Sequence, residues 1–499
     1  MESSASNVYS NAFNFTSYQE GKTDLRTGQF SAMVNLATIR PQGAAEGSRE
    51  IKLVFSALNK ENAGYGIGWR LAESQFDLAT MTLNLASGET YTANPLPPDG
   101  YPITFQDMKL KNVVVVRTNS STITIYYLDG TVEVLRRPSA GDPYRTASLI
   151  FENGETFTYS YASSGALASI VNTTMGKEVL TISCRFNALE KVRALTQGDR
   201  IAEIFCSSSN ELLTSITLPY DNTSGSANPN AQPKYIYTYE ATSQGYQTIT
   251  EIRNPMGGSQ LISYQDDGLQ YYDNTYLPVV VRCETIPGAG QPSIVKRYEF
   301  SRDRNFTGYP YKGGFEPGRD NLYFVTGSYE YWGEETTIDQ GAGNAVIERA
   351  KSIFNKFHLM KREETQRGTA LTTSDYTFNE DPALGFPQQP PNLQTPRRVV
   401  TTFKDMATGA SRSETIEMES DAYGNTLSKT EVSGMKYEYE YYPVEGAGNA
   451  CPREPSGYFV RYCRQERIVP EQVVSSAPLL NGYCRPRNPE RPTSPSPTM

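Results

Sequence analysis

The 499-residue sequence has very few of the residues that build most catalytic and metal centres. It contains one histidine, His358, and six cysteines without a Cys-x-x-Cys pair. One histidine cannot form a histidine-rich metal site, and no Gly-x-Ser-x-Gly elbow accompanies it to support a serine nucleophile. We therefore predict no catalytic residue, no cofactor and no metal site, and we interpret His358 as a packed or solvated strand histidine.

The cysteines are widely separated, which favours scattered reduced thiols over a disulfide framework. They are Cys184, Cys206, Cys283, Cys451, Cys463 and Cys484. A zinc site built from the last three would need a fourth ligand and tighter spacing, so we do not favour it.

Long apolar runs are also absent. No stretch of 18 apolar residues occurs, which excludes a membrane-spanning helix, and the polar start from Met1 to Thr16 predicts no secretory signal. We expect a protein that is cytoplasmic as synthesised, with any export independent of a signal peptide. A net charge of −9 without a basic stripe argues against nucleic-acid partners.

Tyrosine, glycine and proline are abundant, with 34, 39 and 31 residues respectively, and this composition favours short β elements separated by turns. Tyrosines recur at every second position in four places, which places their rings on one face of a strand and predicts aromatic ladders across neighbouring strands. The four are Tyr159/Tyr161, Tyr235/Tyr237/Tyr239, Tyr329/Tyr331 and Tyr437/Tyr439/Tyr441.

Turn dipeptides separate alternating segments between residues 80 and 270, as expected for hairpins. They are Ser87-Gly88, Asp129-Gly130, Asn153-Gly154, Ser164-Gly165 and Asp267-Gly268. The pattern predicts a mainly β protein, a long curved antiparallel β-meander with few or no helices. The segment from Val346 to Met360 fits helical spacing as well, and we favour a strand there.

Five segments are expected along the chain. Residues 1–20 form a polar N-terminal segment, 21–150 an N-terminal β region and 151–445 a tyrosine-repeat β-sheet region. Residues 446–480 continue the β region, and 481–499 form a Pro/Arg-rich tail that we expect to be disordered because it has no apolar pattern.

One motif has the spacing G-x4-Y-x-Y-x3-G-x-L and consists of Gly154, Tyr159, Tyr161, Gly165 and Leu167. It resembles the repeat of the bacterial rearrangement-hot-spot (Rhs) or YD-repeat family, G-x4-Y-x-Y-D-x-x-G-R-L. Ala162 stands in place of the aspartate and Ala166 in place of the arginine.

Further strings resemble the family, and the resemblance covers about residues 10 to 475. They are the partial repeats at Tyr237/Tyr239 and Asp421/Gly424, the segments 13–15, 21–28, 55–59 and 320–323, and the glycine-rich segment 64–69, which ends at Trp69. The resemblance implies a strip of β-sheet wound into a hollow cocoon around a toxic C-terminal domain, as in polymorphic toxins and relatives of toxin-complex B and C subunits. We expect Asp24 and Asp421 to brace turns.

The sequence departs from the family pattern, because we find no self-cleavage motif in it and expect no toxin domain after its repeats. About 300 strand residues cover about 4,800 Å² of sheet, which encloses a sphere with an inner radius of about 14 Å. A 100-residue domain needs a radius of about 17 Å. We therefore predict a partial Rhs-type cocoon and not a loaded capsule.

The function predicted is that of a non-catalytic structural protein, a shell or scaffold segment of an Rhs-type toxin system. The alternative is a carbohydrate- or cell-surface-binding β module, which the abundant tyrosine suggests. The expected partners are a toxin domain, a further Rhs chain or glycans, and the oligomeric state is left open.

A hydrolase is the third possibility, because a pair of carboxylates could serve glycoside hydrolysis. We interpret the candidates Asp266, Asp267, Glu334 and Glu335 as turn and surface residues. Trp69 and Trp332 are interpreted as core anchors and not as platforms for sugar rings.

Overall fold

The computed structural model describes residues 21–42, 47–185, 188–195, 201–218, 233–272, 274–309, 316, 318–470 and 480–482. These residues form 33 strands, no α-helix and two short 3-10 helices, Asn321–Phe324 and Phe386–Gln388. The predicted mainly β, antiparallel meander is confirmed. Residues 1–20 and 483–499, including most of the expected tail, lie outside the described residues, and the five segment boundaries remain predictions.

A four-stranded antiparallel sheet opens the described part of the chain. Its strands are β1 (Lys22–Thr23), β2 (Phe30–Ile39), β3 (Arg49–Ser56) and β4 (Trp69–Leu71). Alternate residues of β3 are apolar, and Ile51, Leu53 and Phe55 are buried. Their two-residue period places them on one face of the sheet, which packs against the strands that follow later in the chain.

The next eight strands enclose a small core of their own. They are β5 (Gln75–Asp77), β6 (Thr82–Asn84), β7 (Thr90–Thr92), β8 (Tyr101–Pro102), β9 (Val113–Asn119), β10 (Thr122–Tyr127), β11 (Val132–Arg136) and β12 (Tyr144–Ile150). Strand β12 pairs with β11 and also with β5, through Tyr144–Phe76 and Arg145–Gln75. This second pairing brings the start of the unit back to its end.

The following thirteen strands pair one after another in antiparallel fashion. They are β13 (Thr156–Tyr161), β14 (Leu167–Asn172), β15 (Lys177–Arg185), β16 (Ala188–Leu195), β17 (Ile201–Ser209), β18 (Leu212–Thr217), β19 (Lys234–Ala241), β20 (Gln247–Arg253), β21 (Ser259–Tyr272), β22 (Thr275–Ile286), β23 (Ile294–Phe300), β24 (Glu330–Asp339) and β25 (Ala345–Asn355). The strand that we favoured within 346–360 is confirmed by β25. One face of β13–β23 buries its apolar residues against β1–β4, and we call it the core face.

The last described strands have no such cover. They are β26 (Met360–Arg367), β27 (Ala370–Phe378), β28 (Pro396–Asp405), β29 (Ser411–Ser420), β30 (Thr426–Thr430), β31 (Lys436–Tyr441), β32 (Cys463–Val469) and β33 (Leu480–Gly482). In β26–β32 only Phe378 is buried, and the other side chains are half-buried or exposed. This part of the sheet is a single layer.

The register shows that the core face continues across this single layer. Tyr376, Val399 and Ile416 are cross-strand neighbours on that face. Met418, Lys429, Tyr437 and Ile468 form the next row on the same face. These two rows, which are apolar and aromatic except for Lys429, extend beyond the region that β1–β4 cover, and we call them the uncovered stripe.

Loops tie the late strands back to the early ones. The backbone N–H of Lys111 donates to the carbonyl oxygen of Ala422 at 2.9 Å, and the rings of Tyr126 and Tyr458 lie 5.4 Å apart. Because β10 and β30 are far apart along the meander, these contacts require the ribbon to curve back on itself. The curvature is held by loop and side-chain contacts.

One turn geometry recurs between successive strands. Eight five-residue turns share a hydrogen bond from the first N–H to the fifth carbonyl and another from the fourth N–H to the first carbonyl, with glycine at positive φ in fourth place. They span residues 85–89, 127–131, 151–155, 162–166, 242–246, 254–258, 421–425 and 431–435. This is a type I turn followed by a bulge, the form in which glycine adopts the left-handed conformation most readily.

Four of the five predicted turn dipeptides lie in these turns, and the fifth was wrong. Asp267 and Gly268 lie inside β21, where the register shifts between Gln265 and Leu269. The extra residues form a bulge in a strand that continues, a second common use of a glycine within a strand pattern.

Candidate functional site

The residues of the G-x4-Y-x-Y motif hold the β12–β14 hairpins together. Gly154 and Gly165 supply the positive φ of their turns, at 82° and 83°. Tyr159 and Leu167 are buried in the main core, and Tyr161 packs against it, so the two tyrosines share a face as predicted. The motif is structural in this chain.

The partial repeat at Asp421 contains the aspartate that the first repeat lacks, and this residue braces its turn. Its Oδ1 accepts the N–H groups of Tyr423 at 2.8 Å and Asn425 at 2.9 Å, and Gly424 has a φ of 87°. Asp24 accepts the N–H groups of Arg26 and Thr27 in the same way. The predicted bracing of turns by these carboxylates is confirmed.

Trp69 anchors the four-stranded sheet to the meander. It is fully buried, its Nε1 donates to the Tyr239 hydroxyl at 2.8 Å, and its ring centroid lies 5.3 Å from that of Tyr237. The Tyr239 hydroxyl in turn donates to the carbonyl of Leu213 at 2.6 Å. The interpretation of Trp69 as a core anchor is confirmed. It was wrong for Trp332, which is only half-buried and has Lys351 Nζ 4.2 Å from the centroid of its ring.

The carboxylates considered for hydrolysis do not lie in turns. Asp266 and Asp267 lie in β21, and Glu334 and Glu335 lie in β24. Glu335 is buried and binds Lys296 Nζ at 2.7 Å. These carboxylates lie on two different strands, and the structure records no contact that joins them as an acid–base pair.

A buried carboxyl group that sequence reasoning missed is that of Glu73, between β4 and β5. The Tyr161 hydroxyl lies 2.8 Å from its Oε2, and Arg145 Nη1 lies 3.5 Å from its Oε1. Burial raises the pKa of Glu73 to about 7, although Arg145 and the Tyr161 hydrogen bond act in the opposite direction. This carboxyl can hold or release a proton near neutral pH.

A cavity of about 160 Å³ borders Glu73. Arg70, Gln75 and Arg145 also line it, together with Tyr65, which is 3 % exposed. The Tyr65 hydroxyl oxygen accepts the N–H of Leu167 at 3.0 Å. The cavity therefore combines a carboxyl, two guanidinium groups, a phenol and an amide.

A second buried carboxylate, Glu133, lies in the neighbouring network. It accepts hydroxyl donors from Ser74 at 2.8 Å, Tyr127 at 2.7 Å and Thr146 at 2.5 Å. Arg49 Nη2 lies 3.7 Å from the same carboxylate. With its oxygens occupied by these donors, Glu133 serves as a structural node, and it does not line the cavity.

The alternation in β11 contained a signal for Glu133. Val132 and Val134 are apolar residues at alternate positions, but Glu133 and Leu135 are the buried residues of this strand. A glutamate in register with a buried leucine is unusual, and it indicates a polar network inside the core.

His358 lies at the centre of a buried hydrogen-bonded chain. The Tyr331 hydroxyl is 2.8 Å from its Nδ1, and Asp320 Oδ2 is 2.7 Å from its Nε2. The His358 side chain is fully buried, and burial raises the pKa of Tyr331 well above its ordinary value. Because all three side chains of this hydrogen-bonded chain are buried, the chain connects structural elements and does not present a catalytic group to solvent.

The structure corrects our interpretation of His358 as a strand residue. It lies in the turn 355–359 between β25 and β26, which has the same two hydrogen bonds as the eight glycine turns. His358 occupies the glycine position with a φ of 60°. The packed alternative within the prediction is correct, and the strand assignment was wrong.

The five described cysteines are free thiols, and Cys484 lies outside the described residues. Within the described part of the chain, no group of three or more His, Cys, Asp or Glu side chains is arranged to hold a metal ion. In the same residues no helix is long and apolar enough to cross a membrane.

Comparisons with known proteins give only weak likenesses. No protein-family model matches the chain, and no curated protein is significantly similar to it in sequence. Similar solved structures include toxin-complex chains. The crystal structure of TcdB2-TccC3 has a TM-score of 0.27 and 9 % identity and covers 91 % of this chain, and that of TcdB2-TccC3-Cdc42 has 0.24, 8 % and 88 %.

This chain covers 37 % of the TcdB2-TccC3 chain and 22 % of the TcdB2-TccC3-Cdc42 chain. A third structure, TcdB2-TccC3 without its hypervariable C-terminal region, has a TM-score of 0.19 and 11 % identity. The match covers 87 % of this chain and 25 % of the chain in that structure. All three TM-scores lie below 0.5, so these likenesses do not assign a function.

Proposed function

We propose that this protein is a non-catalytic shell or scaffold segment of an Rhs-type toxin system, in which the single-layer sheet β26–β32 forms a wall. The observation that carries the proposal is the uncovered stripe. The core face retains apolar side chains at Val399 and Ile416, which are only half-buried and belong to none of the buried clusters in the described part of the chain. Tyr376, at the start of the stripe, packs against the cluster that contains Phe386 and Leu393. The sequence resemblance to the YD-repeat family supports the same function.

The opposite face of these strands has a different composition. It carries cross-strand ion pairs such as Arg362–Asp375 at 2.6 Å and Arg398–Glu417 at 3.5 Å. The core face of the same strands mixes apolar side chains with charged ones such as Glu414 and Lys429. Its apolar side chains are suited to contact a second polypeptide.

Adjacent valines provide a matched test of the wall. Val399 lies on the core face and Val400 on the charged face, and both are half-buried. Each is replaced by p-benzoylphenylalanine, and the protein is co-expressed with the C-terminal toxin domain of an Rhs-type system. We expect photo-crosslinks to the toxin polypeptide from position 399 and at most trace amounts from position 400. Equal crosslinking from both positions, or none from 399, would contradict the proposal.

The absence of enzyme activity is part of this proposal. We expect no turnover of nitrophenyl glycosides or esters by the intact protein. Turnover that Glu73→Gln abolishes would show instead that the buried carboxyl is a catalytic acid.

A carbohydrate- or cell-surface-binding module is the second candidate, and the polar cavity beside Glu73 favours it. The test is binding of the intact protein to a glycan array, and we expect a positive signal if this is the function. Its test is independent of the crosslinking experiment, because the cavity and the uncovered stripe lie in different parts of the fold.

A further inference from the structure

The cavity beside Glu73 lies where three parts of the fold meet. Val54 and Leu71 contribute from the four-stranded sheet, Leu85 from the turn after β6, and Arg145 from β12. A volume of about 160 Å³ is close to that of an apolar cavity of about 150 Å³ that binds benzene, a six-membered ring. The space therefore admits one small ring.

Its polar groups retain hydrogen-bonding capacity. The Tyr65 hydroxyl oxygen accepts the Leu167 N–H, which leaves the hydroxyl proton to be donated. The Glu73 carboxyl has one donor at 2.8 Å and a guanidinium at 3.5 Å, so its oxygens can accept further hydrogen bonds. The Gln75 amide provides both a donor and an acceptor on the same wall.

Two guanidinium groups, those of Arg70 and Arg145, line the cavity, and the existing contacts of Arg145 disfavour its pairing with an ionic ligand. Arg145 is already engaged by Glu73, by the carbonyl oxygen of Gly165 and by the Tyr161 ring, whose centroid lies 5.7 Å away. A further buried charge would have to be desolvated against this paired set, which is costly. A neutral polyhydroxyl ring has hydroxyl groups that both donate and accept, and its apolar face matches the Tyr65 ring and the aliphatic wall.

We propose that this cavity binds one neutral monosaccharide unit, with Tyr65 donating to the sugar, Glu73 accepting from it, and the Tyr65 ring and Leu71 contacting its apolar face. The inference rests on the second of the two proposed functions and names its site and ligand class. It does not depend on the shell function.

Saturation-transfer NMR on the intact protein, with methyl α- and β-glycosides of neutral hexoses as probes, tests the site. We expect transfer from at least one glycoside, with affinity about tenfold weaker in Tyr65→Phe, which removes one donor and keeps the ring. Tyr246→Phe is the matched control, because Tyr246 is also buried but lies in the turn 242–246, away from the cavity. It should bind as the unsubstituted protein does.

A second variant keeps the test decisive if Tyr65→Phe is unstable. Gln75→Leu removes the amide from the same wall and should weaken glycoside binding as well. If saturation transfer to the glycoside is the same in both variants as in the unsubstituted protein, the sugar does not bind in this cavity. A carbohydrate-binding function at another surface would then still be consistent with the result. Stronger binding of acetate than of any glycoside would overturn the ligand class, and absence of any transfer would overturn the inference, while array binding continues to report on the function itself.

Discussion

At the scale of single residues, His358 shows how one substitution in a repeated turn can connect distant segments. Eight turns of this type place glycine where His358 lies, since a side chain at φ 60° carries backbone strain. The imidazole offsets that strain by bridging Tyr331 of β24 and Asp320, whose Oδ1 also accepts the Leu322 N–H at the start of a 3-10 helix. The turn thereby holds the loop before β24 in place.

We predict that His358→Gly destabilises the protein by about 2–4 kcal/mol. Glycine relieves the backbone strain, but the Tyr331 hydroxyl and the Asp320 carboxylate lose a buried partner. Urea denaturation followed by the fluorescence of the two tryptophans measures the change. Gly245→His is the matched control, because a Cβ at Gly245 would meet no atom within 4 Å, so only strain of about 1–2 kcal/mol is expected. A larger loss in the control than in His358→Gly would contradict the assignment.

Glu73 gives a pH-dependent prediction. Its pKa is raised from 4.5 to about 7 in the folded protein, so the native state retains a proton that the unfolded state releases between these values. The free energy of unfolding should therefore fall by up to about 3 kcal/mol as pH rises from 4.5 through 7. Glu73→Gln cannot ionise and should flatten this part of the profile. A slope that persists in Glu73→Gln would assign the effect to another group.

At the scale of elements, the sequence predicted strands and most turns because both depend on local patterns. Tyr-x-Tyr spacing, Asn153-Gly154 and Ser164-Gly165 specify a strand face or a turn without reference to the rest of the chain. The bulge at Gly268 and the inward orientation of Glu133 depend on which strands lie alongside. They could not be predicted from one segment, because register and burial are set by pairing.

The candidate site was not predictable for the same reason. Tyr65, Glu73 and Arg145 are separated by up to 80 positions, and no motif links them. They meet only because β12 pairs with β5 and the four-stranded sheet packs over the hairpins that follow. Among the motif residues named from the sequence, Tyr161 contacts the Glu73 carboxyl directly. The sequence pattern had predicted only that its ring would take part in an aromatic ladder.

The β3–β4 connection gives a prediction at this scale. Gly68 has a φ of 87°, and an added Cβ would overlap the fully buried ring of Phe55. Gly68→Ala should therefore cost about 3 kcal/mol or more and displace Trp69 from the core. Gly154→Ala, at a φ of 82° with no atom within 4 Å of the new Cβ, should cost only about 1–2 kcal/mol. Thermal unfolding with tryptophan emission compares them, and equal losses would argue against the overlap.

At the scale of the whole molecule, the fold divides into a covered and an uncovered half of one continuous sheet. The covered strands β13–β23 bury one face against β1–β4, whereas β26–β32 form a single layer. We predict that backbone amides of β27–β31 exchange with deuterium well before those of β14–β20, because few buried contacts oppose local opening. Hydrogen-exchange mass spectrometry checks this, and equal protection of the two halves would contradict it. A partner that covers the stripe should slow exchange in β27–β31 selectively.

Arg461 joins the two ends of this ribbon. Its guanidinium lies 2.9 Å from Glu152 in the turn after β12 and 3.4 Å from Glu454 in the loop before β32, and its side chain is 9 % exposed. Arg461→Met keeps most of the side-chain volume but leaves the buried Glu454 without its cation. We predict faster hydrogen exchange around residues 109–131 and 421–462, where the late loops meet β9–β11. Arg464→Met is the matched control, since Arg464 is 62 % exposed and lies 4.0 Å from Glu440. If both variants exchange alike, the curvature of the ribbon is held by other contacts, such as the pair of rings at Tyr126 and Tyr458.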